Sequence, residues 1–342
     1  MDSTGYPYLN TRLAMFSSRR LSPAVLSRLV DEPIDTVEAT AQLAGLKELA
    51  DQGGTDTSHL EQVLLSRLLA DTEVLLRPLQ GGDRRFVRFC AQWFELGNLK
   101  ALVRGKLSSL PDTEIRRQLV DTTPFTTLPI DDLLRTEDPA EMLRRLETTT
   151  YGDVARQARL VYEEKKDLFS LDAAIDRRFF IALQRRADNV HRSQRAAVRR
   201  LVGTVVDRFD LLWLLRYRFS YGISPAETYY LLVPAGRGLS AAALLSLSQL
   251  GSLEEVLNAL PPRLREHLAG AATITEVENR LEALTYQVMR GAIGDIRNPI
   301  GRCFALFVLR DMEMRQLLAL LKGRKLGLPA ELIRFATALT VH

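Results

Sequence analysis

Three carboxylates recur in this chain with the same company. Glu95, Asp207 and Glu313 are separated by 112 and 106 residues, and each opens a stretch of the same pattern. The first, "FELGNLKALVRGK" (94–106), supplies Glu95, Asn98, Leu99, Leu102, Arg104 and Lys106. The second, "DRFDLLWLLRYR" (207–218), supplies Asp207, Asp210, Leu211, Leu214, Arg216 and Arg218. The third, "EMRQLLALLKGR" (313–324), supplies Glu313, Gln316, Leu317, Leu320, Lys322 and Arg324. Acids beside bases are the raw material of proton transfer, but a catalytic constellation needs unlike groups converging on one place. Three near-copies of one pattern do not provide that. The chemistry open to these residues is hydrogen bonding and ion pairing.

The rest of the chain offers no alternative centre. There is no GxxxxGK[ST] phosphate loop, and "VPAGRGLS" (233–240) has glycines without the lysine or a preceding strand. "GLS" (238–240) is no nucleophile elbow. His59, His191, His267 and His342 show no metal-ligand spacing. Cys90 and Cys303 stand alone, which excludes a structural zinc site by count and predicts two reduced, buried fillers. No catalytic residue, metal or cofactor is expected.

The elements that carry the pattern are expected to be helices. Apolar residues at three- and four-residue spacing fill 55–79, 171–187 and 273–293, each preceded by Thr, Ser or Asp as N-cap candidates. No strand alternation is visible. At about 100° per residue, Glu95, Asn98, Leu99, Leu102 and Lys106 share one face of a helix, while Arg104 points away. That face exists three times. Each copy is followed by a Pro and a Glu (Pro111 and Glu114, Pro225 and Glu227, Pro329 and Glu331), a helix stop and restart. Some 34–37 residues ahead of each copy lies an acidic helix start, at Glu61, Asp172 and Glu276. Near the front of each unit is a short helix, a break and another helix: 26–39, 133–146 and 247–260. The units are 1–127, 128–238 and 239–342. A period above 100 residues is too long for a solenoid repeat of about 34 to 47 residues, so each unit is domain-sized. The shared face predicts polar contacts between neighbouring domains or around a central opening, with local pairing inside each domain as the alternative.

Composition sets the class. The chain has 342 residues, 46% hydrophobic and 26% charged, with a net charge of +4. This fits a globular protein. Its best apolar stretches, "DLLWLL" (210–215) and "CFALFVL" (303–309), are flanked by charges and far short of the roughly 20 residues of a membrane helix. "MDSTGYPYLN" lacks the features of a signal peptide. The Arg-rich stretch 185–200 could touch phosphates or an anionic surface, which keeps a basic helical adaptor or nucleic-acid-binding scaffold as the rival function. Acids interleaved with the bases elsewhere argue against it. An α-helical enzyme without a readable motif is a second rival.

The ordered set "YLNTRLAM" (8–15), "FELGNLKALVRGK", "VDRFDLLWLLRYRFSYGISPAE" (206–227), "LVPAGRG" (232–238) and "RDMEMRQLLALLKGRKLGLPAELIR" (310–334) resembles the C subunit of the rotary V-type (archaeal and bacterial A/V-type) ATPase or ATP synthase, whose eukaryotic counterpart is the d subunit. The resemblance covers nearly the whole chain. It implies an all-α protein of three similar domains around a pseudo-threefold axis, shaped like a funnel, with no catalytic site and no cofactor. It implies a place in the central stalk, between the D and F subunits of the shaft and the membrane ring of proteolipid subunits, peripheral to the membrane on its cytoplasmic side. The pair Asn98-Leu99 becomes Asp-Leu in the second copy and Gln-Leu in the third, so the face carries over rather than individual contacts. The residues expected at the shaft socket or at domain contacts are Glu95, Asn98 and Lys106; Asp207, Asp210 and Arg218; and Glu313, Gln316 and Arg324.

Overall fold

A computed structural model describes residues 6–32, 57–149, 151–165, 168–233 and 238–337. His342, the second half of 26–39 and most of "VPAGRG" lie outside the described residues. Every regular element among the described residues is a helix. In chain order these are α1 (Tyr6–Ser18), α2 (Pro23–Asp31), α3 (Thr57–Leu76), α4 (Gly81–Leu107), α5 (Asp112–Arg117), α6 (Ile130–Leu134), α7 (Pro139–Leu146), α8 (Gly152–Lys165) and α9 (Leu168–Asp188). Then come α10 (Arg192–Leu215), a π-helical turn (Arg216–Ser220), α11 (Pro225–Leu231), α12 (Ala241–Ser248), α13 (Leu253–Ala259), α14 (Pro262–Leu268), α15 (Ile274–Ile293), α16 (Pro299–Lys325) and α17 (Ala330–Ala336). The triplicated pattern falls near the C-terminal ends of α4, α10 and α16.

The chain divides into two compact units, one of residues 81–278 and one of residues 1–80 with 279–342. The division into 1–127, 128–238 and 239–342 follows the repeat instead.

In the unit of residues 81–278, α9 packs against α4, α8, α10 and α11. An aromatic row binds three of these helices. Phe89 of α4 stacks on Phe179 of α9 at 4.9 Å between centroids, and Phe180 reaches Phe209 of α10 at 4.5 Å. Trp93 touches Phe179, Phe180 and Phe209 at 5.3–5.7 Å, and Trp213 extends the row to Tyr217. Each such pair adds about 0.5–1.5 kcal/mol beyond area burial. Lys100 pairs with Asp176 and Arg104 with Asp172 at 3.5 Å, so the arginine that points off the shared face has its own partner on α9.

In the other unit, α16 packs against α1, α2, α3 and α17. Leu21, Leu26, Leu29, Val30, Leu317, Leu320 and Ile333 form one buried cluster. Leu317 and Leu320, the shared-face leucines of the third copy, thus anchor the N-terminal segment. Arg310 of α16 meets Asp71 of α3 at 3.7 Å.

Local chemistry explains the helix boundaries. Asp138 and Ser252 accept from the backbone amides of Glu141 and Glu255, and these glutamates reach back to the amides of Glu137 and Gly251. Such reciprocal caps satisfy donors left free by the first helical turn. Glu276, expected as an acidic helix start, caps α15 with Thr273 in the same way. Signature helices end at a left-handed residue: Ser109, Gly222 and Gly327. The π turn carries the last three residues of the second pattern (216–218) and absorbs, ahead of Gly222, the one extra residue this copy has relative to the others, as a π bulge does. Cys90 and Cys303 are buried and neither is in a disulfide. No described helix is long and apolar enough to cross a membrane.

Candidate functional site

Each signature helix lays its carboxylate against backbone amides that lead into a short helix further along. In the first copy Glu95 is fully buried. Its Oε1 accepts from the amides of Thr127 and Leu128, the latter at 2.5 Å, and its Oε2 from the Thr127 hydroxyl at 2.8 Å and the Tyr151 hydroxyl. In the second, Asp207 accepts from the amides of Gly238 at 2.8 Å and Leu239 at 3.1 Å. In the third, Glu313 accepts from the amide of Leu21 at 2.8 Å. These amides lie two to three residues ahead of α6, α12 and α2.

The base of each copy reaches the other end of the same short helix. Lys106 donates to the carbonyl of Leu134, the last residue of α6, and pairs with Asp112 at 3.1 Å. Arg218 donates to the carbonyls of Ser248, the last residue of α12, at 2.8 Å, of Leu250 at 3.3 Å and of Ile223 at 2.8 Å. Arg324 donates to the carbonyls of Leu29 at 2.9 Å and Glu32 at 2.7 Å, at the end of α2. Acid before the N-terminus and base at the C-terminus both match the helix dipole and satisfy terminal backbone groups. Together they form a bracket around the short helix, made three times.

Between acid and base, the polar residue ties down a later stretch. Asn98 accepts from the Val120 amide at 2.9 Å and donates to its carbonyl at 2.7 Å. Asp210 accepts from the Val233 amide at 2.8 Å. Gln316 donates to the Thr337 carbonyl at 3.1 Å.

The electrostatics differ between copies. Burial raises the Asp207 carboxyl above its ordinary range, against the lowering pull of the Leu239 and Gly238 amides. Burial raises Asp210 further, opposed by the Val233 amide. Burial also raises Glu313, opposed by Arg310, Leu21 and Arg20. Tyr151 is pushed up by burial and then by the neighbouring Glu95, so it stays a neutral donor.

Several of these partners escape sequence reasoning. Backbone amides carry no side-chain signature, so Thr127, Leu128, Gly238, Leu239 and Leu21 have no signal of their own. Tyr151 and Arg310 lack a counterpart in the six-position pattern. Gly105 and Gly323, at the same pattern position, do carry one. A Cβ there would lie 2.5 Å and 2.8 Å from Ile115 and Ile333 respectively, so only glycine admits α5 and α17 so closely. Leu326, Leu328, Leu332 and Phe335 are exposed beside the third bracket, whereas the same offsets in the first copy hold Ser108, Leu110, Glu114 and Arg117. Among the described residues, no cluster of three or more His, Cys, Asp or Glu side chains could hold a metal ion.

An all-helical chain with one bracket built three times is a repeat protein whose polar machinery holds its own backbone. A family model places it further: residues 9–335 match the ATP synthase (C/AC39) subunit, and the chain belongs to that family. It is 23% identical to the C subunit of the A-type ATP synthase of Methanocaldococcus jannaschii over 98% of this chain and 86% of that protein. The proteins of the same name from Halorubrum lacusprofundi and Methanosarcina mazei are 25% and 23% identical, over 94% and 97% of this chain and 90% and 92% of theirs.

Proposed function

We propose that this chain is a non-catalytic central-stalk component of a rotary A/V-type ATPase, linking the D and F subunits of the shaft to the membrane proteolipid ring and passing torque between ATP chemistry and ion movement. It sits on the cytoplasmic side, peripheral to the membrane through the ring. The observation that carries the reading, within the family already established, is the bracket and the order in which it is used. By repeat, the first copy holds the start of the second unit, the second copy holds the start of the third, and the third copy holds residues 21–32 of the first. Such an order supports three similar domains closed around a pseudo-threefold axis, in a funnel. It also supports Glu95, Lys106, Asp207, Arg218, Glu313 and Arg324 as contacts between consecutive domains, and Asn98, Asp210 and Gln316 as local ties within each domain, rather than as socket lining.

A torque coupling must not shear. Close-packed interiors resist deformation, and buried polar contacts fix register because a mismatched charge costs more than a mismatched methyl. The exposed apolar tip at Leu326, Leu328, Leu332 and Phe335 favours a component that works against partners.

The test is recovery of the tagged chain from native membranes in mild detergent. Shaft and ring proteins should co-purify, with ATPase activity in the complex and none in the isolated chain. Recovery of nucleic acid, or of the chain alone with its own activity, would overturn the reading.

A further inference from the structure

The middle position of the bracket holds an amide in two copies and an acid in one. Asn98 sets both halves of its amide on a single residue, accepting from Val120 N and donating to Val120 O. Gln316 likewise donates to a backbone carbonyl, that of Thr337. Asp210 meets Val233 in the corresponding place, 23 residues on where Asn98 reaches 22. Its Oδ1 accepts from Val233 N at 2.8 Å, but its Oδ2 is buried without a hydrogen-bond partner and the residue is 0% exposed. An ionised carboxylate only accepts, whereas a protonated one carries one O–H donor. The protonated form therefore reproduces the donor and acceptor pair of Asn98.

Three elements bring charged or titratable groups toward this carboxyl. From α10 itself comes Asp207, engaged with Gly238 and Leu239. The π turn brings the buried Tyr217. From α9 comes Arg177, whose Nε donates to the Leu232 carbonyl at 2.8 Å and whose guanidinium lies 5.7 Å from the Tyr230 ring centroid on α11. Arg177 favours the ionised form; Asp207 and burial oppose it, burial being the largest influence. A buried charge that lacks a donor is costly.

We propose that Asp210 is a neutral carboxylic acid in the folded protein and acts as a pH-sensitive latch on Leu232 and Val233, just past α11: its Oδ2–H donates to the Val233 carbonyl, and loss of that proton to solvent at high pH breaks the bond and releases Val233. The first and third copies, with amides in the same position, have no such switch. The latch concerns the second bracket alone and stands apart from the rotor reading.

Infrared spectra of the full chain, wild type minus Asp210→Asn, test it directly. At neutral pH the difference should contain one protonated-carboxyl C=O band, which is lost as the pH is raised into the alkaline range. Over that range the Val233 amide should lose at least about tenfold of its hydrogen-exchange protection in the wild type and none in the variant. Absence of the band at neutral pH, or equal loss of Val233 protection in both proteins, would overturn the latch. Should the variant fail to fold, the wild-type band and the wild-type Val233 exchange must still change together with pH, and independent changes would refute it.

Discussion

The first and third brackets do the same job with different means. Glu95 meets four donors, two amides and two hydroxyls, all neutral and fixed by the fold. Glu313 meets one amide, and otherwise two arginines at a looser 3.6 Å (Arg310) and 3.7 Å (Arg20). Its Oε2 and the Arg20 Nε are both buried without a hydrogen bond. The reason lies in the chain path. Glu95 takes its donors from residues 32, 33 and 56 positions away, on segments already led there by intervening helices. Glu313 closes on a residue 292 positions away, so its bracket joins the two ends of the chain. Long mobile cations can find a carboxylate across such a closure, at the expense of geometry.

This difference can be broken in graded steps. Glu95→Ala should be the most damaging change, because it strands two buried amides and two hydroxyls; about 3–5 kcal/mol of stability should disappear in urea unfolding. Glu313→Ala should cost about 1–3 kcal/mol, with the loss of hydrogen-exchange protection centred on Leu21 and α2. Gly105→Ala and Gly323→Ala probe the paired glycines. Both are overpacked, at about 1–3 kcal/mol, with the first worse since its contact to Ile115 is shorter, and Ile115→Ala, which removes the clashing Cγ1, should relieve the strain. Tyr151→Phe removes one hydroxyl donor from Glu95 and should cost about 1 kcal/mol, the smallest effect of the set.

A pH series sharpens the same contrast. The folded protein holds the Glu313 proton more tightly than the unfolded chain does, through burial. Between the unfolded and the raised folded value the native state therefore binds more protons, and stability falls as pH rises through that window. Glu313→Gln should flatten this part of the melting-temperature profile. A variant profile parallel to the wild type would show that burial at Glu313 has no energetic consequence.

Much of the candidate site was legible in the residues. The six-position pattern, the helices that bear it and the stop after each copy all follow from side-chain types and periodicity. Asn98 and Lys106 do share a face with Glu95, and Arg104 does point away to Asp172. What each polar residue binds was not legible, because nearly every partner is a backbone amide or carbonyl, identical in every residue. The π turn was hidden for a related reason. The second copy matches without a gap through Arg218, and its extra residue falls just beyond. The closure of Glu313 on Leu21 is set by tertiary path alone, since nothing local links α16 to the N-terminal segment.

The most direct test of the rotor reading is ATP-driven ion transport by the reconstituted complex carrying Glu95→Lys or Lys106→Glu in this chain. If the brackets hold the coupling in register, transport should fall to background, through lost assembly or through hydrolysis that no longer moves ions. Wild-type assembly and wild-type transport in both variants would contradict it.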